Sequence, residues 1–169
     1  MALRHQCGDR HPVDAGIENR HLNVAVMNSL TAFAAIGLTA VAWDGSLTPA
    51  GARAFRHALD YREPYCSLDD QDMVDLMDWL LNRRREIGNN ALMLEAAQAL
   101  SSTQSLTAYA MASELMRSDG PYETEERRHL DHLALILSIA KPESDRIDSV
   151  FDVLHQQLAL RSELQPQLA

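Results

Sequence analysis

Residues 19–43, NRHLNVAVMNSLTAFAAIGLTAVAW, decide the fold. After Leu30 the stretch is apolar nearly all round, and Ala32, Ala34, Ala35, Gly37 and Ala40 keep its surface small. A helix apolar on every side belongs at the centre of a bundle, where small residues let neighbouring helices approach closely. A membrane span needs about 20 strongly apolar residues. The uncharged run Val24–Trp43 is diluted by Asn28, Ser29, Thr31, Gly37 and Thr39, so it predicts a buried helix of a soluble protein rather than a span.

Leucine and alanine total 47 residues against 13 valines and isoleucines. That excess favours helix, because β-branched side chains lose χ1 freedom there. Breakers then divide the chain at Gly45 and Pro49, Pro64, Gly88, Gly120 and Pro121, Pro142 and Pro166. The pattern predicts an all-α, single-domain bundle of about seven helices. These cover roughly 19–43, 48–59, a third starting at Ser67 and running through Arg83–Arg85, then 90–100, 105–118, 124–140 and 142–160. Thr48 caps the second helix with Pro49 as its first residue. Ser67 and Asp70 form a capping pair for the third, whose Met73, Leu76, Met77 and Leu80 make an inward stripe. Asp69, Asp72, Asp75 and Asp78 spiral around its solvated side. Residues 1–18 read as a flexible leader, 19–160 as one helical domain and 161–169 as a tail.

Fifteen bases against 24 acids leave a net charge of −9, and only nine aromatics (three Phe, two Trp, four Tyr) are present. An acidic surface repels phosphate backbones, and few rings are available for base stacking, so no nucleic-acid binding is expected. Cations or basic partners suit the charge better. Cys7 and Cys66 form neither a disulfide framework nor a metal-ligand spacing, and no signal-peptide core opens the chain, so a reducing, cytoplasmic setting is expected. No Gly-rich phosphate loop and no Gly-x-Ser-x-Gly turn occurs.

An internal repeat is legible. A shift of 75 places Asp44-Gly45 on Asp119-Gly120, and Phe55, His57 and Ala58 on Leu130, His132 and Leu133. A shift of 74 places Met73, Leu76, Met77, Asp78 and Leu80 on Ile147, Val150, Phe151, Asp152 and Leu154. Pseudo-duplicated three-helix units are therefore expected, each a helix, an Asp-Gly turn and two further helices.

The second unit contains AMASELMRSDGPYETEERRHLDHLALILSIAKPESDRIDSVFDVLH, residues 110–155. It joins a small-residue helix, an Asp-Gly turn, an acid seven positions after the Asp, an apolar helix and a last amphipathic helix. In this it resembles the tellurite-resistance TerB-like family, best over residues 105–158 and more weakly over 32–59. The resemblance implies an all-helical, non-enzymatic stress-response module that binds a partner protein and holds a divalent cation through acidic side chains. By resemblance Asp119 and Glu126 take the acidic positions, and Asp44 takes the first-unit Asp. Gly51 stands where an acid would pair with Asp44.

The residues themselves support a narrower statement. Asp119, Gly120, Tyr122 and Glu126 match the second half of a calcium-binding EF-hand loop, but Leu115 and Arg117 occupy the earlier ligand positions and cannot coordinate calcium. An oxygen-rich cluster of Asp119, Glu123, Glu125 and Glu126 is suited to calcium, magnesium, manganese or zinc held weakly; the same acids equally match the start of a helix dipole. The candidate metal residues are therefore Asp119, Glu123, Glu126 and Asp44. The competing chemistry is a di-metal carboxylate oxidoreductase using Glu18 with His21, Glu126 with His129, and Glu95 and Glu114, the ligand inventory of a di-iron bundle. Against it, arginines lie inside both Glu-x-x-His motifs at Arg20, Arg127 and Arg128, and both motifs start helices. A homo-oligomer is compatible with the sequence.

Overall fold

In a computed structural model the described residues are 27–117 and 123–156. Among them are six α-helices, a short 3₁₀ turn at Tyr65–Ser67 and no strand, and 79 % of them are helical. The helices are α1 (Ser29–Val41), α2 (Pro49–Asp60), α3 (Asp70–Ala99), α4 (Ser102–Leu115), α5 (Thr124–Ile136) and α6 (Lys141–Leu154).

Helix α1 is the core, and every residue from Thr31 to Ala40 is buried. Asn28 caps it, its Oδ1 accepting the Thr31 N–H at 2.8 Å. Helices α2, α3 and α4 surround it, and α4 in turn packs on α5 and α6. Gly37 is where this packing is tightest. A Cβ there would lie 2.5 Å from the Phe55 ring of α2 and 2.9 Å from the Met111 methyl of α4. The part of the predicted first helix at 19–26 lies outside the described residues, and at its other end α1 stops two residues short of Trp43.

The expected third and fourth helices follow one another with no loop between them, and α3 covers both, with the expected break at Gly88, where the backbone is non-helical. Helix α3 runs through Gly88, whose φ of +82° and ψ of 166° are reserved for glycine, so the chain bends there without a loop. Arg83 bridges the bend, its Nε donating to Glu95 at 3.1 Å. Arg84 and Asn89, either side of it, both donate to the Ala42 carbonyl just past α1, at 2.8 and 3.0 Å. Arg84 and Asn89 thereby satisfy the end of the central helix, whose last carbonyls have no partner within the helix.

Three helix boundaries differ from expectation for local reasons. Helix α3 starts at Asp70 rather than Ser67, because Asp69 is the cap, accepting the Asp72 N–H at 2.8 Å, while Ser67 closes the 3₁₀ turn. Helix α4 starts at Ser102, three residues early, through a reciprocal Ser101–Gln104 capping box. Helix α5 stops at Ile136 rather than Ala140. Ser138 takes a φ of +56°, and the Ile139 N–H returns to the Ala134 carbonyl at 2.9 Å, a Schellman-type stop.

The stripe Met73, Leu76 and Leu80 is buried as expected, and Asp69, Asp72, Asp75 and Asp78 are exposed. The shift of 74 does not carry that stripe to α6. It pairs buried Leu76 with exposed Val150 and buried Leu80 with exposed Leu154. Helix α6 buries Ser144 and Asp148 instead.

Candidate functional site

The first Asp-Gly turn follows α1. The Gly45 N–H reaches back to the Ala42 carbonyl at 3.1 Å with a φ of +99°, which glycine adopts without strain. Asp44 closes an Asx turn, its Oδ1 accepting the backbone N–H and the hydroxyl of Ser46, both at 2.9 Å. The Ser46 N–H, and then its hydroxyl, hold the Asp44 carboxyl below its ordinary range, so Asp44 is an exposed carboxylate at neutral pH.

The turn, the start of α2, the end of α4 and Glu126 of α5 line one cleft of about 80 Å³. Asp44 and Glu126, 82 positions apart in the chain, thus face the same space. Gly51 stands where the resemblance would place an acid beside Asp44. A Cβ there would sit 3.2 Å from the Thr48 hydroxyl and 3.3 Å from the Val41 Cβ, tighter than ordinary contact. No side chain extends from this point, and the second carboxylate of the cleft comes from α5.

Glu126 also serves its own helix, one carboxylate oxygen accepting the Glu123 N–H at 2.8 Å. Glu123 is exposed at the N-cap of α5, and Glu125 pairs with Arg128. Asp119, Gly120 and Tyr122 lie outside the described residues. Among the described residues no three or more of His, Cys, Asp and Glu gather as metal ligands. The described glutamates of the di-metal set are engaged or exposed separately. Glu95 is paired with Arg83, Glu114 is exposed, and Glu18 and His21 lie outside the described residues.

His129 is the unusual member of the Glu126-x-x-His129 pair. Its Nε2 is buried with no hydrogen-bond partner among the described residues, and its ring lies 6.4 Å from that of Trp43. Burial, and secondarily the neighbouring His132, hold its imidazole below the ordinary value and therefore neutral. His132 itself is exposed and shares a 2.8 Å hydrogen bond with the Asn90 side chain.

Sequence reasoning missed the main polar cluster. Asp148 of α6 is buried and accepts from the Tyr109 hydroxyl at 3.0 Å, the Ser113 hydroxyl at 2.7 Å and Arg127 at 2.9 Å. Arg117 is only 4 % exposed. It donates to the Ser113 and Asp148 carbonyls at 2.9 and 3.0 Å and to Asp152 at 2.6 Å. Tyr109, Ser113 and Arg117 recur every four residues along α4, and Asp148 and Asp152 do so along α6, so each set shares one helix face, but a solvated face has the same spacing and only packing turns the two toward each other. The cluster leaves each partner satisfied by protein groups and joins α4, α5 and α6.

The chain matches no family model, no curated protein and no solved structure. No described helix is long and apolar enough to cross a membrane.

Proposed function

We propose that this chain is a non-enzymatic, TerB-like stress-response module of the tellurite-resistance type, which engages a protein partner at the cleft between the first Asp-Gly turn and α5. A divalent cation bridging Asp44 and Glu126 serves that contact. The observation that carries the reading is that these two acids, taken from separate units, line one cleft. Hard cations prefer carboxylate oxygens, and an ionised Asp44 is ready to supply one.

The TerB-like part of the proposal draws on the order of packing. Helix α1 packs on α2 and α3, and α4 packs on α5 and α6. Helices α1 and α4 run in the same direction, since their first turns line one groove and their last turns line the cleft. The inward positions 73, 76, 77 and 80 of α3 match 144, 147, 148 and 151 of α6 at a shift of 71. The first residues of the two helices, Asp70 and Lys141, stand at the same shift. At this register the inward faces of the two helices coincide, which the apolar matches at 74 do not achieve.

A thermal-shift titration of the full chain with calcium, magnesium, manganese and zinc tests the proposal. Binding to the native state alone raises stability by about 2.7 kcal/mol at a hundredfold excess over Kd. The expected result is a rise in Tm with at least one cation that Glu126→Gln and Asp44→Asn each abolish. A Tm unmoved by all four, or a shift that both variants retain, removes the cation and returns Glu126 to capping its helix.

A further inference from the structure

At the other end of α1 from the cleft lies a second concavity, about 380 Å³ in volume, within the ~300–1,000 Å³ range of small-molecule sites. We infer that this groove is a binding site for a small carboxylate with an apolar tail, its head on Arg62 and its tail on Leu30, Phe33 and Tyr65.

The wall is mostly apolar and rigid. The Phe33 and Tyr65 rings lie 6.1 Å apart at 36°, and the Tyr65 hydroxyl donates to the Leu30 carbonyl, which ties the 3₁₀ turn to α1. A tail laid here meets carbon, because the one polar atom of Tyr65 is already engaged. The head-group end is different. Arg62 is half-buried on the groove and donates through Nη1 to the Ala58 carbonyl. A guanidinium has five N–H donors in a planar fork, so that one bond orients the group while others remain for a bidentate carboxylate.

Two further features favour an anion. The first turns of α1 and α4 both border the groove. The amides of Ser29, Leu30, Ser102 and Thr103 precede the first intrahelical bonds, which start at the Asn28 and Ser101 carbonyls. Neither first turn carries an acid that would neutralise them. Glu63, the one acid among the described residues of the rim, remains a carboxylate but is exposed to water, which screens its charge, and accepts the Ser67 hydroxyl at 3.1 Å. A single guanidinium with a long apolar wall fits a fatty-acid-like carboxylate better than a phosphate, which draws on several cationic groups.

The test uses the full chain, with octanoate and octanol as probes that share a tail and differ in head. Titration followed by amide NMR should show saturable octanoate binding with shifts confined to residues 29–33, 62–65 and 103–107, and at least tenfold weaker octanol binding. Arg62→Gln should weaken octanoate about tenfold and leave octanol unchanged. Arg53→Gln, an exposed charge on α2 away from the groove, should change neither. Thr107→Trp, which fills the groove from an exposed position, should abolish both. Absence of saturable binding, equal affinity for the two probes, or equal effects of Arg62→Gln and Arg53→Gln would each overturn the inference. The outcome is independent of the cation cleft, which shares none of these residues.

Discussion

Arg127 of α5 and Asp148 of α6 meet at 2.9 Å, on the same carboxylate oxygen that accepts the Tyr109 hydroxyl of α4. One buried carboxylate therefore joins three helices. Removing one partner of a buried ion pair strands the other, at a cost of about 3–5 kcal/mol, whereas exposed pairs contribute about 0–1 kcal/mol. Asp148→Ala should lower stability by about 3 kcal/mol or more in urea unfolding. Lys141→Ala, which breaks the exposed pairs to Asp131 and Asp145, should cost less than about 1 kcal/mol. Similar losses for the two variants would show that the cluster does not hold α6 in place.

Gly37→Ala should destabilise the protein even though alanine is the better helix former by about 1 kcal/mol. The new methyl would overlap the Phe55 ring and the Met111 methyl, and overpacking costs about 1–3 kcal/mol. A Tm equal to or above that of the wild type would refute the tight α1–α2–α4 contact.

Gly88→Ala should also destabilise, by about 1–3 kcal/mol, through its backbone alone, since a Cβ there meets open space. The variant has a second expected signature. Straightening the bend moves Asn89 from the Ala42 carbonyl, so amide exchange at the end of α1 should quicken. Unchanged exchange there would mean that Arg84 and the Gly45 N–H suffice for that carbonyl.

His129 predicts the direction of pH dependence. Its imidazole is held below the ordinary 6.5 in the folded chain, so the unfolded chain takes up the proton first. Stability contributed by the neutral ring is complete above about 6.5 and declines as pH falls below it toward the folded value. Urea midpoints should drop between pH 7.5 and 5.5, and His129→Leu should flatten that drop. A profile unaltered by the substitution would assign the pH dependence to other groups.

The helical class was legible because leucine and alanine are abundant and β-branched residues are few. The central position of α1 was legible because no polar stripe interrupts it. Capping by Thr48 and the inward stripe of α3 followed from spacing within one helix, where the period of 3.6 residues dictates which side chains share a face. The break at Gly88 was legible because glycine readily leaves the helical region, whereas the bend that lets the two halves of α3 follow without a loop goes with what Arg83, Arg84 and Asn89 reach.

The candidate site divides along the same line. The chain alone identified Asp44, Glu123 and Glu126 as acids beside turns, and with them the carboxylate chemistry on offer. Tertiary structure decided that Asp44 and Glu126 share a cleft while Glu123 stays at the N-cap, and that Glu95 pairs with Arg83. It decided also that Asp148, which sits in sequence among ordinary surface residues, is buried against Tyr109, Ser113 and Arg127. Local sequence sets propensity and periodicity, which are properties of a few neighbouring residues. Whether a carboxylate ends in water, in a cleft or against an arginine depends on desolvation and on partners brought from 20 to 80 positions away, and those are settled only when the helices pack.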